Sequence, residues 1–209
     1  MSFAHCRRHC PDFRSLPHEN DLDEEYYAMD ESSGTFRPSF HWAFLGEITH
    51  DTSLFIGDRP RYLVKDKVGN RHPIHFHLDS LDDMFFDMNE RKDYKVGRTI
   101  CVYYANQHNF VDGTIGLRIE STESVKIIRC SLEALIEVNV SELDQAVNCE
   151  ACGKEGGGTL SKCSRCGVKY CDKGCQAKDW RSGHKTRCTA VCQVREWERK
   201  DWATFRSFW

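Results

Sequence analysis

No run of about 18 apolar residues occurs in the chain, so no helix is expected to cross a membrane. The opening stretch MSFAHCRRHC lacks the apolar centre of an export signal. A secretory leader is therefore not expected, and a reducing compartment, nucleus or cytoplasm, is. Charge of one sign is scarce too: 29 Lys and Arg against 32 Asp and Glu leave −3, too little to mark a global affinity for nucleic acid. There are no internal repeats, and no catalytic constellation stands out. His72, His75 and His77 crowd one segment, but no Asp, Glu or Ser is placed to work with them, and Pro73 among them suggests an edge strand. The glycine-rich EGGGTLSK lacks a following Gly-Lys-Ser/Thr and reads as a spacer, not a phosphate cradle. The expectation is a protein without enzymatic activity. Cysteine, in contrast, is abundant, with twelve in 209 residues. In a reducing compartment they argue for metal, not disulfides.

Residues 1–35 read as an acidic, disordered tail. Between Asp12 and Glu31 the acids Asp12, Glu19, Asp21, Asp23, Glu24, Glu25, Asp30 and Glu31 stand against one base, Arg14, a composition that cannot offset the entropy of ordering. HCRRHC (His5, Cys6, His9, Cys10) has the residue types of half a metal site, but no second half lies nearby, and such a tract is only a compositional hint. Residues 36–130 change to strand patterns. Phe40, Trp42 and Phe44 alternate on one face. RYLVKDKVGNRHPIHFHL reads as two strands around a Gly69-Asn70 turn, and SLDDMFFDMNERK as a short helix with Ser80 and Asp83 in a capping-box relation. TICVYYA, TIGLRIE and SVKIIR follow as strands. Five strands with a helix between the third and fourth is the element order of an OB-fold barrel. Residues 131–148 read as a helical connector capped by Ser131, with Leu132, Leu135 and Ile136 on one side. Residues 189–209 read as an aromatic amphipathic helix, with Val191, Val194, Trp197, Trp202, Phe205, Phe208 and Trp209 on an arc of about 140°.

Between these helices lie the cysteines. Cys149-x2-Cys152, Cys163-x2-Cys166, Cys171-x3-Cys175 and His184-x3-Cys188 form four pairs. A two-residue gap lets a tight turn aim two sulfurs at one ion, and a three-residue gap puts two ligands one helical turn apart. Eight such ligands make two four-coordinate sites with no vacancy, the pattern of structural zinc, two ions per chain. Sequential and interleaved use of the pairs satisfy the same chemistry. From Cys149 to Cys192 nine bases against four acids offset the thiolate charge. Apolar residues are few there, so zinc must supply most of the folding free energy. Cys101 and Cys130 read as core residues, and Cys192 as a free thiol.

The block closely resembles the MYND-type zinc finger: the aromatic before Cys171 is Tyr170, and Gln176 and Trp180 occupy the family's Gln and Trp places. The match covers residues 149–188, and an OB-like region ahead of a C-terminal finger is similar to fungal MYND proteins. The resemblance implies interleaved zinc sites, Cys149, Cys152, Cys171 and Cys175 on one ion and Cys163, Cys166, His184 and Cys188 on the other. It also implies a non-enzymatic adaptor, with Gln176 and Trp180 contacting a proline-containing peptide of a partner protein in a regulatory complex. Some MYND fingers sit inside SET-domain methyltransferases, but the chain is too short for one and lacks its Asn-His motif. The alternative is single-stranded nucleic acid on the OB-like domain, stacked on Tyr62, Tyr103, Tyr104, His108 and Phe110 beside Arg59, Arg61, Lys65, Lys67 and Arg71. Trp197, Trp202 and Phe205 of the tail are expected to dock either on the barrel or on a partner chain. The expected architecture is thus a mainly β N-terminal domain (an OB-like barrel), then a small zinc-stabilised α/irregular finger and a C-terminal helix.

Overall fold

The N-terminal 35 residues are folded onto the rest of the chain in the computed structural model, which describes residues 3–53, 59–78, 91–156 and 160–205. This corrects the expected disordered tail. The acids do face solvent, as Asp21, Glu24 and Glu25 show. Between them, however, Phe13, Leu16 and Tyr26 are buried in the core of the sheet. Asp12 caps a short turn at Phe13–Ser15, and the Phe13 ring stacks on His72 with centroids 3.7 Å apart. Backbone carbonyls of the segment find donors on the sheet: Lys67 Nζ donates to Cys10 O, and the Gln107 side-chain amide to Leu16 O at 2.7 Å. A hairpin of β1 (Tyr27–Asp30) and β2 (Thr35–Pro38) completes it. Mean composition conceals three well-placed anchors.

The main sheet begins with β3 (Ala43–Asp51), long enough to pair on both sides. β4 (Arg61–Asp66) and β5 (Arg71–Phe76) extend it as an antiparallel meander. In their turn Asp66 Oδ1 accepts from the Val68 and Asn70 amides, and Gly69 takes a φ of +92° that favours glycine. β6 (Thr99–Tyr103) returns to pair with β3 on its other side. β7 (His108–Asn109) pairs with β8 (Ile115–Ile119), which lies parallel on β5, and β9 (Val125–Ile128) pairs with β6. The sheet order is β7-β8-β5-β4-β3-β6-β9. A three-strand meander, a fourth strand back on the first and a fifth parallel to the third is the OB connectivity. Among the described residues no pairing joins β6 to β8, so the expected barrel is not closed; the sheet ends at β7 and β9.

Pro73 is also placed differently from expectation. It lies in β5, which is paired on both sides, and not on an edge. The parallel ladder to β8 starts one residue later, at Ile74↔Leu117, so the missing proline N–H interrupts nothing. Opposite it stands Gly116, where an added Cβ would come within 2.2 Å of Pro73 O. The Ser80–Asp83 capping box lies outside the described residues.

Alternation along the strands makes two cores. Phe44, Ile48, Val64, Ile74, Phe76, Ile100 and Leu117 gather on one side with Trp42. Ala43, Leu45, Cys101 and Ile128 point the other way and belong to a second core with the C-terminal half of the chain. The connector is two helices, not the single one expected. Ser131 caps α1 (Leu132–Ile136), whose Leu132 and Leu135 are buried, and Asn139 starts a second cap for α2 (Val140–Gln145). The finger follows with β10 (Ser161–Lys162), β11 (Lys169–Tyr170), α3 (Lys173–Asp179), a wide turn over Trp180–His184 and α4 (Lys185–Glu198).

The helix stops at Glu198 instead of running to the terminus. Beyond it the chain turns back: the Trp202 indole donates to Trp197 O at 2.9 Å, and Trp202 O accepts from His41 N at 2.9 Å. Trp197 is 0% and Trp202 4% exposed, and the Phe205 ring lies 5.2 Å from that of His41. Of the two dockings expected for Trp197 and Trp202, on the β domain or on a partner chain, the structure shows the first: these rings are buried within the chain. Phe208 and Trp209 lie outside the described residues.

Candidate metal centre

Two tight turns of the same design start each ligand set. In Cys149–Lys154 the Gly153 amide donates to Cys149 O at 2.8 Å, and the Cys149 amide to Lys154 O at 2.8 Å. In Cys163–Val168 the Gly167 amide donates to Cys163 O at 2.9 Å, and the Cys163 amide to Val168 O at 2.8 Å. Gly153 and Gly167 hold φ of +72° and +82°, so the glycine after each Cys-x2-Cys lets the turn reverse without strain. The β10–β11 hairpin then carries the chain from Cys163 back past Tyr170 to Cys171. Asp172 caps α3 by accepting from the Cys175 amide at 2.9 Å, which sets Cys175 beside Cys171. His184 and Cys188 come from the wide turn and the first turns of α4.

The result is interleaved. The ligand atoms of Cys149, Cys152, Cys171 and Cys175 lie within 4.8 Å of one another, as do those of Cys163, Cys166, His184 and Cys188. Tetrahedral zinc with bonds of ~2.3 Å to sulfur and ~2.0 Å to nitrogen needs S···S edges of about 3.8 Å and S···N edges of about 3.5 Å. Cys152 and Cys171 sulfurs are 3.7 Å apart, and Cys166 Sγ is 3.5 Å from His184 Nε2. The donor sets fit zinc, and each fills four positions, so each ion would serve as a structural cross-link.

One thiol in each ligand set is primed for the charged form, while its neighbours are pushed the other way. Burial opposes ionisation of Cys149, but the amides of Cys171, Cys152 and Ala151 around its sulfur outweigh it and bring the thiol down to about 6. Cys163, opposed likewise by burial, is brought to about 6 by His184 and by the Cys166 and Arg165 amides. Cys171 is pushed up to about 12, first by hydrogen bonds to Cys152 and Cys149. A divalent cation relieves that crowding of thiolates.

The two sites differ in shelter. Cys163, Cys166, His184 and Cys188 are all buried in the shared core, whereas Cys152 is exposed and Cys171 and Cys175 half-buried. Asp179, which the sequence reading did not single out, supports the inner site. Its carboxylate lies 3.5 Å from His184 Nδ1 and accepts from Tyr170 OH at 2.6 Å and from Arg187 at 2.8 Å. Arg187 in turn pairs with Glu150 at 2.8 Å. This shell lies on the Nδ1 side of the ring without completing a hydrogen bond to it, while Nε2 points toward Cys166. An acid five residues before the histidine carries no motif signal, which is why only the fold reveals it.

The other candidates separate. Cys101 and Cys130 are core residues, and Cys192 lies outside both quartets, its thiol donating to Arg165 O at 3.4 Å. His5, Cys6, His9 and Cys10 join neither ligand group. Gln176 is half-buried and Trp180 is 39% exposed, one helical turn apart. Tyr62 cannot stack a base, because it is 1% exposed and its ring lies on that of Tyr94, centroids 5.3 Å apart. Tyr104 is bonded to His41 and Lys67 to Cys10 O. Phe110 and His108 do reach a common surface, with His75 and His77.

Residues 149–188 match the family model of the MYND finger. A ubiquitin carboxyl-terminal hydrolase 19 of Arabidopsis thaliana is 47% identical over 47 residues, 22% of this chain and 6% of that protein. An F-box protein of the same plant is 62% identical over 31 residues, 14% of this chain and 9% of that protein. The chain thus spans less than a tenth of the length of either relative. Among solved structures, a chain of the S. pombe Stn1-Ten1 complex is similar at a TM-score of 0.34 and 19% identity, over 57% of this chain and 78% of that one. An OB domain from Methanosarcina mazei follows at 0.31 and 8%, over 51% and 89%. The OB reading here rests on strand connectivity, and the finger on its ligands. The chain carries a two-site MYND-type zinc-binding region behind a mainly β domain of OB connectivity.

Proposed function

We propose that the chain is a non-enzymatic adaptor whose finger binds a proline-containing segment of a partner protein through Gln176 and Trp180, within a regulatory complex. The supporting observation is the contrast among tryptophans: Trp42, Trp197 and Trp202 are buried, while Trp180 is 39% exposed on the finger. A flat indole suits a proline ring, and a glutamine amide can hydrogen-bond the extended backbone that proline pre-orders. Trp180→Ala should weaken binding of such a peptide about thirtyfold, as a hot-spot residue does, with zinc content unchanged at two. NMR titration of the full chain checks this. Largest shifts away from residues 176–180, or zinc loss on substitution, would assign the pair to the fold.

A second reading is supported by a different surface. The Phe110 ring lies 4.2 Å from His75 and 6.4 Å from His77, and Arg59 and Arg61 border them. Burial first, then the charge of Arg61, lowers the His75 pKa and favours the neutral ring. Neutral rings beside arginines suit a single strand of nucleic acid. Phe110→Ala should then weaken binding of a fluorescent single-stranded oligonucleotide at least about fivefold. Anisotropy with no salt-dependent binding would reject this reading.

A further inference from the structure

Trp180 opens onto a groove of about 760 Å³ that the finger shares with the β domain. Ile127 and Ile128 both line it. Neighbouring residues of a strand point to opposite faces, so a groove that touches both runs along the strand's edge. That edge belongs to β9, the last strand of the sheet, and no strand among the described residues pairs with its outer side. On the finger side Gln193 lines the groove. It is 6% exposed, and its Nε2 has no hydrogen-bond partner among the described residues, a donor left for an incoming oxygen.

The charges are one-sided. Arg98, Arg129, Arg165 and Lys185 line the groove against Asp93 alone. Asp93 is shared between Arg98 and Arg129, each at 2.6 Å, and neither Arg165 nor Lys185 has an ion-pair partner among the described residues. A net positive groove with a strand edge, an indole and a free amide donor selects an extended, negatively charged peptide.

We propose that the binding site is composite: the peptide's proline rests on Trp180, and acidic residues beside it run along β9 to meet Arg129, Arg165 and Lys185. This rests on the proline reading of the finger and adds both the charge class of the partner and the contribution of the β domain. The finger thereby recognises only half of its ligand.

The test uses the full zinc-loaded chain and fluorescent peptides with central prolines flanked by glutamate, glutamine or lysine. The glutamate peptide should bind at least about tenfold more tightly than the lysine one, with the difference shrinking in high salt. Arg129→Glu should erase the preference. Lys185→Glu should do the same in part; as the first residue of α4 it accepts a carboxylate without harm to the helix, which guards against misfolding. Gln193→Leu should weaken the glutamate peptide several-fold. If Trp180→Ala abolishes binding but flank charge and the two charge reversals change nothing, the composite site is wrong while the proline reading stands. If no peptide binds, or binding ignores Trp180, both are wrong.

Discussion

Stripping zinc from the purified chain should unfold more than the finger. Elemental analysis is expected to find two ions per chain, and a chromophoric chelator should remove them in two phases. The outer ion goes first, because Cys152, Cys171 and Cys175 are reachable from solvent. The inner ion should leave only as the chain opens, since its four ligands are buried among Leu45, Val191 and Trp197. Structural zinc in finger peptides contributes on the order of 10–16 kcal/mol at neutral pH, more than a typical domain's total stability of about 5–15 kcal/mol. Loss of the inner ion should therefore loosen the sheet face that carries Ala43, Leu45 and Cys101 as well, seen as faster amide exchange in β6 and β9. A single release phase with unchanged sheet protection would contradict the shared core.

The second large effect belongs to Trp197. Its indole is fully buried, with the Trp202 ring at 6.4 Å in edge-on contact and Trp202 anchored to its carbonyl. Trp197→Ala should cost about 3–5 kcal/mol, a large share of the total, whereas Trp197→Phe should recover much of it. Urea unfolding measures both. A cost below about 1 kcal/mol would mean that the tail does not hold the two halves together. Deleting residues 193–209 should go further and expose Ala43, Leu45 and Cys101, with aggregation as the readout.

The zinc ligands were legible because metal chemistry demands short spacings, and spacing is a property of sequence. The alternation of Phe40, Trp42 and Phe44 was legible for the same local reason. Asp179 was not, because its role depends on a wide turn that brings His184 back toward it. Phe13, Leu16 and Tyr26 were hidden by the acids around them, since disorder was judged from an average and docking depends on single side chains. Trp197 and Trp202 share one face on a helical wheel, yet the helix ends at Glu198 between them, and the Trp202 carbonyl accepts from the His41 amide.

The sequence by itself determined that eight ligands would gather in two sets, that the middle of the chain would be strands in OB order, and that Gln176 and Trp180 would share a turn of helix. All of these follow from contacts between residues near in the chain, where 2.0 and 3.6 periodicities and ligand gaps operate. Only the tertiary structure decided which cysteine pairs interleave, that the sheet stays open, that one core serves both sheet and finger, and that Trp180 faces the edge of β9 across a basic groove. Those outcomes depend on apolar burial between segments far apart in the chain, and burial is non-directional: it rewards any good packing, so the pattern of one segment does not name its neighbour.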